Sequence, residues 1–161
     1  MEYRPVQPIN TSNNQHRRDS IDHWMIRLEK GEECIASLTH FCKTFSLHTG
    51  HINGIGAVRE AEIGWFDPTK KQYSTRTLHE NMEIVTLTGN LTMKEKEPFL
   101  HLHATFSKEN LEVIGGHLFR AVISVTAEFF LQTFPVMLTR NKEEETGLFL
   151  WDGMLKIPKI G

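Results

Sequence analysis

The stretch "FLHLHATFSKENLEVIGGHL", residues 99–118, holds three histidines in a setting that otherwise has the composition of core strand. His101 and His103 alternate with Leu100, Leu102 and Ala104. On a strand, residues i and i+2 share a face and stand ~6.6 Å apart, so the two imidazoles can lean onto one ion, each nitrogen ~2.0–2.1 Å from zinc. His117 follows His103 after enough chain to finish the strand, turn and return alongside. Gly115 and Gly116 immediately before it would let backbone pass close to such a site without a side-chain clash. Three neutral imidazoles and one open position are the donor set of a non-closed zinc site, and nickel, iron or manganese also suit it. The competing reading is that H-x-H marks two polar residues on a solvent-facing sheet surface. Two carboxylates in strand-like runs, Glu83 and Glu128, are candidates to orient an imidazole N–H or to act as general base on bound water. The chemistry open to such a set is metal-assisted proton transfer, decarboxylation or hydrolysis, that of a lyase or hydrolase. The other six histidines, His16, His23, His40, His48, His51 and His79, lack such a context and read as surface or polar-rim residues.

Strands must carry these residues. "IDHWMIRLEKGE" alternates through Trp24, Ile26 and Leu28 and stops at Gly31. From Glu32 to His48 the apolar residues recur at three- and four-residue spacing, predicting an amphipathic helix that ends before Gly50. Next comes a glycine-punctuated strand, "HINGIGAVREAEIGWF", which should be bent or bulged. "DPTKKQ" is a turn and "YSTRTL" returns from it. "MEIVTLTGNLTM" is expected to kink at Gly89. Two further runs, "FLHLHATF" and "RAVISVTAEFFLQTF", flank the turn "SKENLEV", and a closing hairpin surrounds residues 141–146. One helix and seven or eight strands predict an α+β domain with a strongly curved, mostly antiparallel sheet over residues 20–155. Residues 1–19 read as a flexible arm and 156–161 as a frayed tail.

Composition is ordinary for a chain of 161 residues, with 39% apolar and 24% charged residues and a net charge of −2. That length supports one hydrophobic core. Charge offers no argument for nucleic acid, and no apolar run approaches the ~20 residues that a bilayer demands. Neither is there an apolar segment near residue 1 of the kind a secretory signal carries, so a cytoplasmic location is expected. Cys34 and Cys42 fall about two helical turns apart, too far for a disulfide, and are expected as buried free thiols.

The segments "GIGAVREAEIGWFDPTKKQY", "ENMEIVTLTGNLT", "PFLHLHATFS", "VIGGHL" and "VTAEFFLQTF" resemble, in that order, the plants-and-prokaryotes-conserved (PPC) domain. The resemblance runs from about Trp24 to Phe134, and the HLH and GGH pair is its most specific part. It implies a homotrimer. In plants this domain is joined to AT-hook segments of nuclear DNA-binding proteins, and prokaryotic members often carry a DNA-binding label. An AT-hook needs a Gly-Arg-Pro core, which this chain lacks; "HRRD" at 16–19 has only the adjacent Arg17 and Arg18. The arginine-bearing stretch of the plant domain corresponds here to Asn81, Met82, Glu83 and Ile84, so DNA is a weakly supported partner, and a small-molecule ligand is also open. The fold is also similar to that of acetolactate decarboxylase, whose zinc site pairs H-x-H with a later histidine. By that likeness His101, His103 and His117 are metal ligands.

Overall fold

The computed structural model describes residues 21–152, so the expected arm and tail lie outside the described residues. Eight strands and one helix follow one another as β1 (His23–Glu29), α1 (Cys34–Thr44), β2 (Gly50–Asp67), β3 (Gln72–Leu78), β4 (Met82–Lys94), β5 (Glu97–Ser107), β6 (Val113–Thr133), β7 (Thr139–Lys142) and β8 (Phe149–Trp151). Most described residues are in strands and the helix has 11 residues, so the domain is mainly β with one short helix, not an even α+β mixture.

The sheet closes on itself. β2 pairs with β6, β6 with β5, β5 with β4, and β4 returns to β2, all antiparallel. β1 and β3 extend this ring from β6 and β2, and the β7–β8 hairpin joins β4 through a short parallel pairing. Closure demands curvature. The long strand β2 supplies it through register shifts at Gly54/Gly56 and Gly56/Val58, where a bulge was expected. The register of β4 runs unbroken through Gly89, where a kink was expected, and shifts at Ile84/Thr86 instead. A Cβ at Gly89 would run into the backbone of His101, so glycine is needed there for close strand approach.

Leu100, Leu102 and Phe106 of β5 point into the core with Ile52, Val58, Leu87, Leu91, Ile123 and Leu131 from neighbouring strands. The helix covers the side of the ring at β5 and β6, burying Cys34, Leu38, Phe41 and Cys42. It is shorter than its periodicity predicts. Glu33 is the N-cap, accepting from the Ile35 and Ala36 N–H groups, and its Oε1 also accepts from the Ala121 N–H on β6. At the other end Ser46 adopts φ +53°, which terminates the helix before Gly50, and Gly50 opens β2. Both thiols are free and buried; burial holds Cys34 well above the ordinary thiol range and Cys42 up to about 12, which keeps both protonated near pH 7.

Candidate metal centre

β5 turns its leucines inward, and the alternation of the pleat therefore sends His101 and His103 outward. Two neighbours complete the site from opposite directions. On one side His103 is the register partner of His117 on β6, and His117 in turn pairs with Gly64 of β2. On the other, His101 and His103 pair with Asn90 and Thr88 of β4. The three imidazoles meet with ring centroids 5.3 Å (His101 to His103), 5.0 Å (His101 to His117) and 5.4 Å (His103 to His117) apart. One nitrogen from each ring lies within 4.8 Å of the other two. Ligation of one tetrahedral ion at ~2.0–2.1 Å implies nitrogens ~3.3 Å apart, a closure within reach of small ring rotations.

Gly115 and Gly116 make the approach possible. A Cβ at Gly115 would stand 2.7 Å from the Ala104 carbonyl oxygen, and one at Gly116 would stand 2.7 Å from that of Gly64. Both glycines thus let β6 slot between β5 and β2 and deliver His117. They place a ligand and are not themselves at the centre of the cluster.

The donor set fits a transition metal. Burial holds His101 down to about 4, with the Arg140 charge and His103 adding to it. His117 is lowered to about 4 by burial first, then by His101, His103 and Arg140. Both rings are therefore neutral near pH 7, as ligation requires. Nδ1 of His117 is also buried without a hydrogen-bond partner among the described residues, an omission that ordinarily costs about 1–3 kcal/mol. A bound ion is one group that could meet it. Aromatic rings wall this side, with Tyr73 centred 5.0 Å and Phe119 4.7 Å from His117.

Glu83 and Glu128 do not join the cluster. Glu83 pairs with Ser107, four pairs beyond the Thr88–His103 pair, which puts it ~13 Å along the sheet from His103. Glu128 lies eleven positions after His117 on β6, between Arg27 and Ile55. Both are exposed. The argument that a buried carboxylate needs a purpose does not apply to them, and a role in orienting an imidazole is out of reach in this arrangement.

Arg140 occupies the place where an acid was sought. It is 6% exposed, with Nε donating to Thr92 Oγ1 at 2.8 Å, Nη1 to the Phe149 carbonyl at 2.7 Å and Nη2 to Asn90 Oδ1 at 2.7 Å. Nη2 also lies 3.4 Å from Nδ1 of His101. Nothing in "TRNK" signals this, because the contact depends on the parallel docking of β7 beside β4. Asn90 and Tyr73 were equally silent. Beyond Asn90 on the same row is His51 of β2, which lines a cleft of about 900 Å³ together with Thr88, Asn90 and Thr92.

Comparison with known proteins agrees with this architecture. A metal-containing protein from Archaeoglobus fulgidus is 39% identical, with a TM-score of 0.76 over 81% of this chain and 92% of its own. A plant- and prokaryote-conserved protein from Pyrococcus horikoshii is 35% identical, with a TM-score of 0.80 over 86% and 96%. A "putative DNA binding protein" from Bacteroides thetaiotaomicron is 30% identical, with a TM-score of 0.79 over 84% and 98%. Alpha-acetolactate decarboxylase from Bacillus subtilis strain 168 is similar in fold alone, at 15% identity and a TM-score of 0.50, and this chain covers 57% of it. None of the curated proteins compared with the chain matches it. The family model of the Plants and Prokaryotes Conserved (PCC, also written PPC) domain matches residues 15–135, and the chain belongs to that family.

Proposed function

We propose that this PCC-domain protein binds one divalent transition-metal ion, zinc in the first instance, through His101, His103 and His117. The observation that carries the reading is the convergence of three imidazoles, from two strands, with one nitrogen of each within 4.8 Å of the others. The name of the Archaeoglobus relative, a metal-containing protein 39% identical to this chain, supports it. When bound, such an ion supplies Lewis acidity and lowers the pKa of a water at its open position. The chain's own residues do the rest. Leu100 and Leu102 anchor β5 so that its histidines face outward, Gly115 and Gly116 bring His117 into register, and Tyr73 and Phe119 shield that ring from solvent. A small-molecule ligand is the partner we assign to the site. Elemental analysis of untagged protein expressed in zinc-supplemented medium tests the reading. About one ion per chain is expected, and metal-free protein would end it.

The protein is further proposed to work in the cytoplasm as a homotrimer. Exposed Met25 and Phe130, register partners on β1 and β6, leave an outer sheet face that a second copy could cover. A second reading makes the chain a DNA-associated module with a structural metal or none, and the name of the Bacteroides relative favours it. Sequence-selective duplex binding in the nanomolar range would favour the second reading over the first.

A further inference from the structure

Arg140 brings a positive charge to the neutral histidines, and no acid pairs with it. Among the described residues no aspartate or glutamate joins the three-histidine group, and none forms an ion pair with Arg140. Arg140 is nonetheless buried, and its acceptors are neutral: a threonine hydroxyl, a backbone carbonyl, an asparagine oxygen and an imidazole nitrogen. Burying a charge without a counter-charge is costly, and the cost falls when an anion comes alongside.

Metal loading would release one of its donors. A guanidinium only donates, so the 3.4 Å contact from Nη2 needs a bare Nδ1 on His101. Ligation through Nδ1 would commit that lone pair to the ion. Ligation through Nε2 would leave the proton on Nδ1, facing Arg140 donor to donor. Either route leaves one Nη2 N–H pointing towards the triad without an acceptor. A divalent ion on three neutral ligands keeps its full charge as well, and charge-assisted donors of this kind prefer a carboxylate oxygen to a neutral one.

Past Asn90 there is room for the rest of a molecule, in a cleft that is reached from Arg140 through the residues it holds. Asn90 and Thr92, which both accept from Arg140, also form the polar wall of the 900 Å³ cleft. Its apolar wall carries Phe134, Met137 and Trp151, and the cleft's one acid, Asp152, accepts from Asn141 Nδ2 at 2.8 Å. We propose that the histidine site and Arg140 together bind a small organic carboxylate, its charged end alongside the triad and Arg140 and its apolar body reaching past Asn90 into this cleft. The proposal rests on the metal reading only for the open coordination position and the freed N–H; the missing counter-charge at Arg140 stands without it.

The test compares butyrate, butyramide, acetate and inorganic phosphate by calorimetry and by histidine-ring NMR, on zinc-loaded and metal-free full-length protein. Butyrate should bind the loaded protein at least about tenfold tighter than butyramide, with shifts in the triad rings. Arg140→Gln should remove that preference without changing zinc content, and Arg140→Lys should retain part of it. Met137→Ala, at an exposed position tolerant of change, should weaken butyrate and leave acetate unaffected. Equal binding of butyrate and butyramide by the wild type overturns the proposal whatever the fate of the Arg140 variants. Phosphate binding as tight as butyrate overturns the assignment to an organic acid, and butyrate affinity unchanged by Met137→Ala overturns the place given to the cleft. Stoichiometric zinc with no acid preference sinks this inference alone. A chain that takes no zinc but keeps an Arg140-dependent preference for butyrate sinks the metal reading alone.

Discussion

His103 on β5 and His117 on β6 are register partners whose rings lie 5.4 Å apart, and the backbone of Gly64 on β2 lies directly beyond His117. Three strands therefore control one ligand pair, and small changes in strand spacing translate into ring separation.

Removing one of the three rings should empty the site. His103 neighbours both other imidazoles, so His103→Ala leaves two ligands and is expected to lose most bound metal while the protein stays folded, because His103 faces outward and carries no core packing. Elemental analysis after dialysis, with circular dichroism alongside, checks this. Retention of a full equivalent of metal would speak against the three-histidine assignment.

Gly116→Ala should act at a distance from any ligand atom. The added Cβ would stand 2.7 Å from the Gly64 carbonyl oxygen, and neither backbone can yield without parting β6 from β2. A loss of about 1–3 kcal/mol is expected in urea unfolding, together with weaker zinc retention against a chelator, since His117 moves with its strand. Wild-type zinc affinity in the variant would show that the glycine does not set the site.

Stability of the metal-free protein should rise with pH across the window from about 4 to 6.5. In the fold His101 and His117 are held down to about 4, mainly by burial, whereas in the unfolded chain they return to their ordinary value of 6.5. Between these values the unfolded state binds more protons than the native state, so acidification through the window favours unfolding. Urea midpoints measured from pH 7 to pH 4 should fall, and the fall should be shallower in His117→Gln. Parallel profiles for the two proteins would refute the assignment to this ring.

Association should depend on the outer face of β1 and β6. Phe130 is 60% exposed and Met25 53%, an expensive display for an isolated chain. Light scattering at micromolar concentration should give the mass of three chains, and Phe130→Asp should shift it towards one. A monomeric wild type would exclude the trimer.

DNA binding should stay in the non-specific range of roughly 10⁻⁴–10⁻⁶ M at physiological salt. The net charge is −2 and Arg17 with Arg18 is an isolated basic pair, so deleting residues 1–19 should abolish what binding there is and leave metal content unchanged. Gel shifts with AT-rich and GC-rich duplexes decide the matter. Tight, sequence-dependent binding by the truncated protein would reverse the ranking of the two readings.

Local pattern by itself determined the strand character of residues 97–107, the shared face of His101 and His103 opposite Leu100 and Leu102, and the presence of the one helix. These follow from periods of two and 3.6 residues that neighbouring side chains impose directly. The return of His117 was legible for the same reason, since one turn separates β5 from β6 and the paired glycines mark the close approach. Tertiary structure decided the rest. Closure of the ring through β2 and β4, the exposed positions of Glu83 and Glu128, and the delivery of Arg140 from β7 all depend on register between strands that are not neighbours in the chain. Such register comes from the sum of core packing and bulges, and a slip of one residue would turn each side chain to the other face. No single stretch of sequence carries that sum, and Arg140 reaches His101 only once β7 has docked against the end of β4.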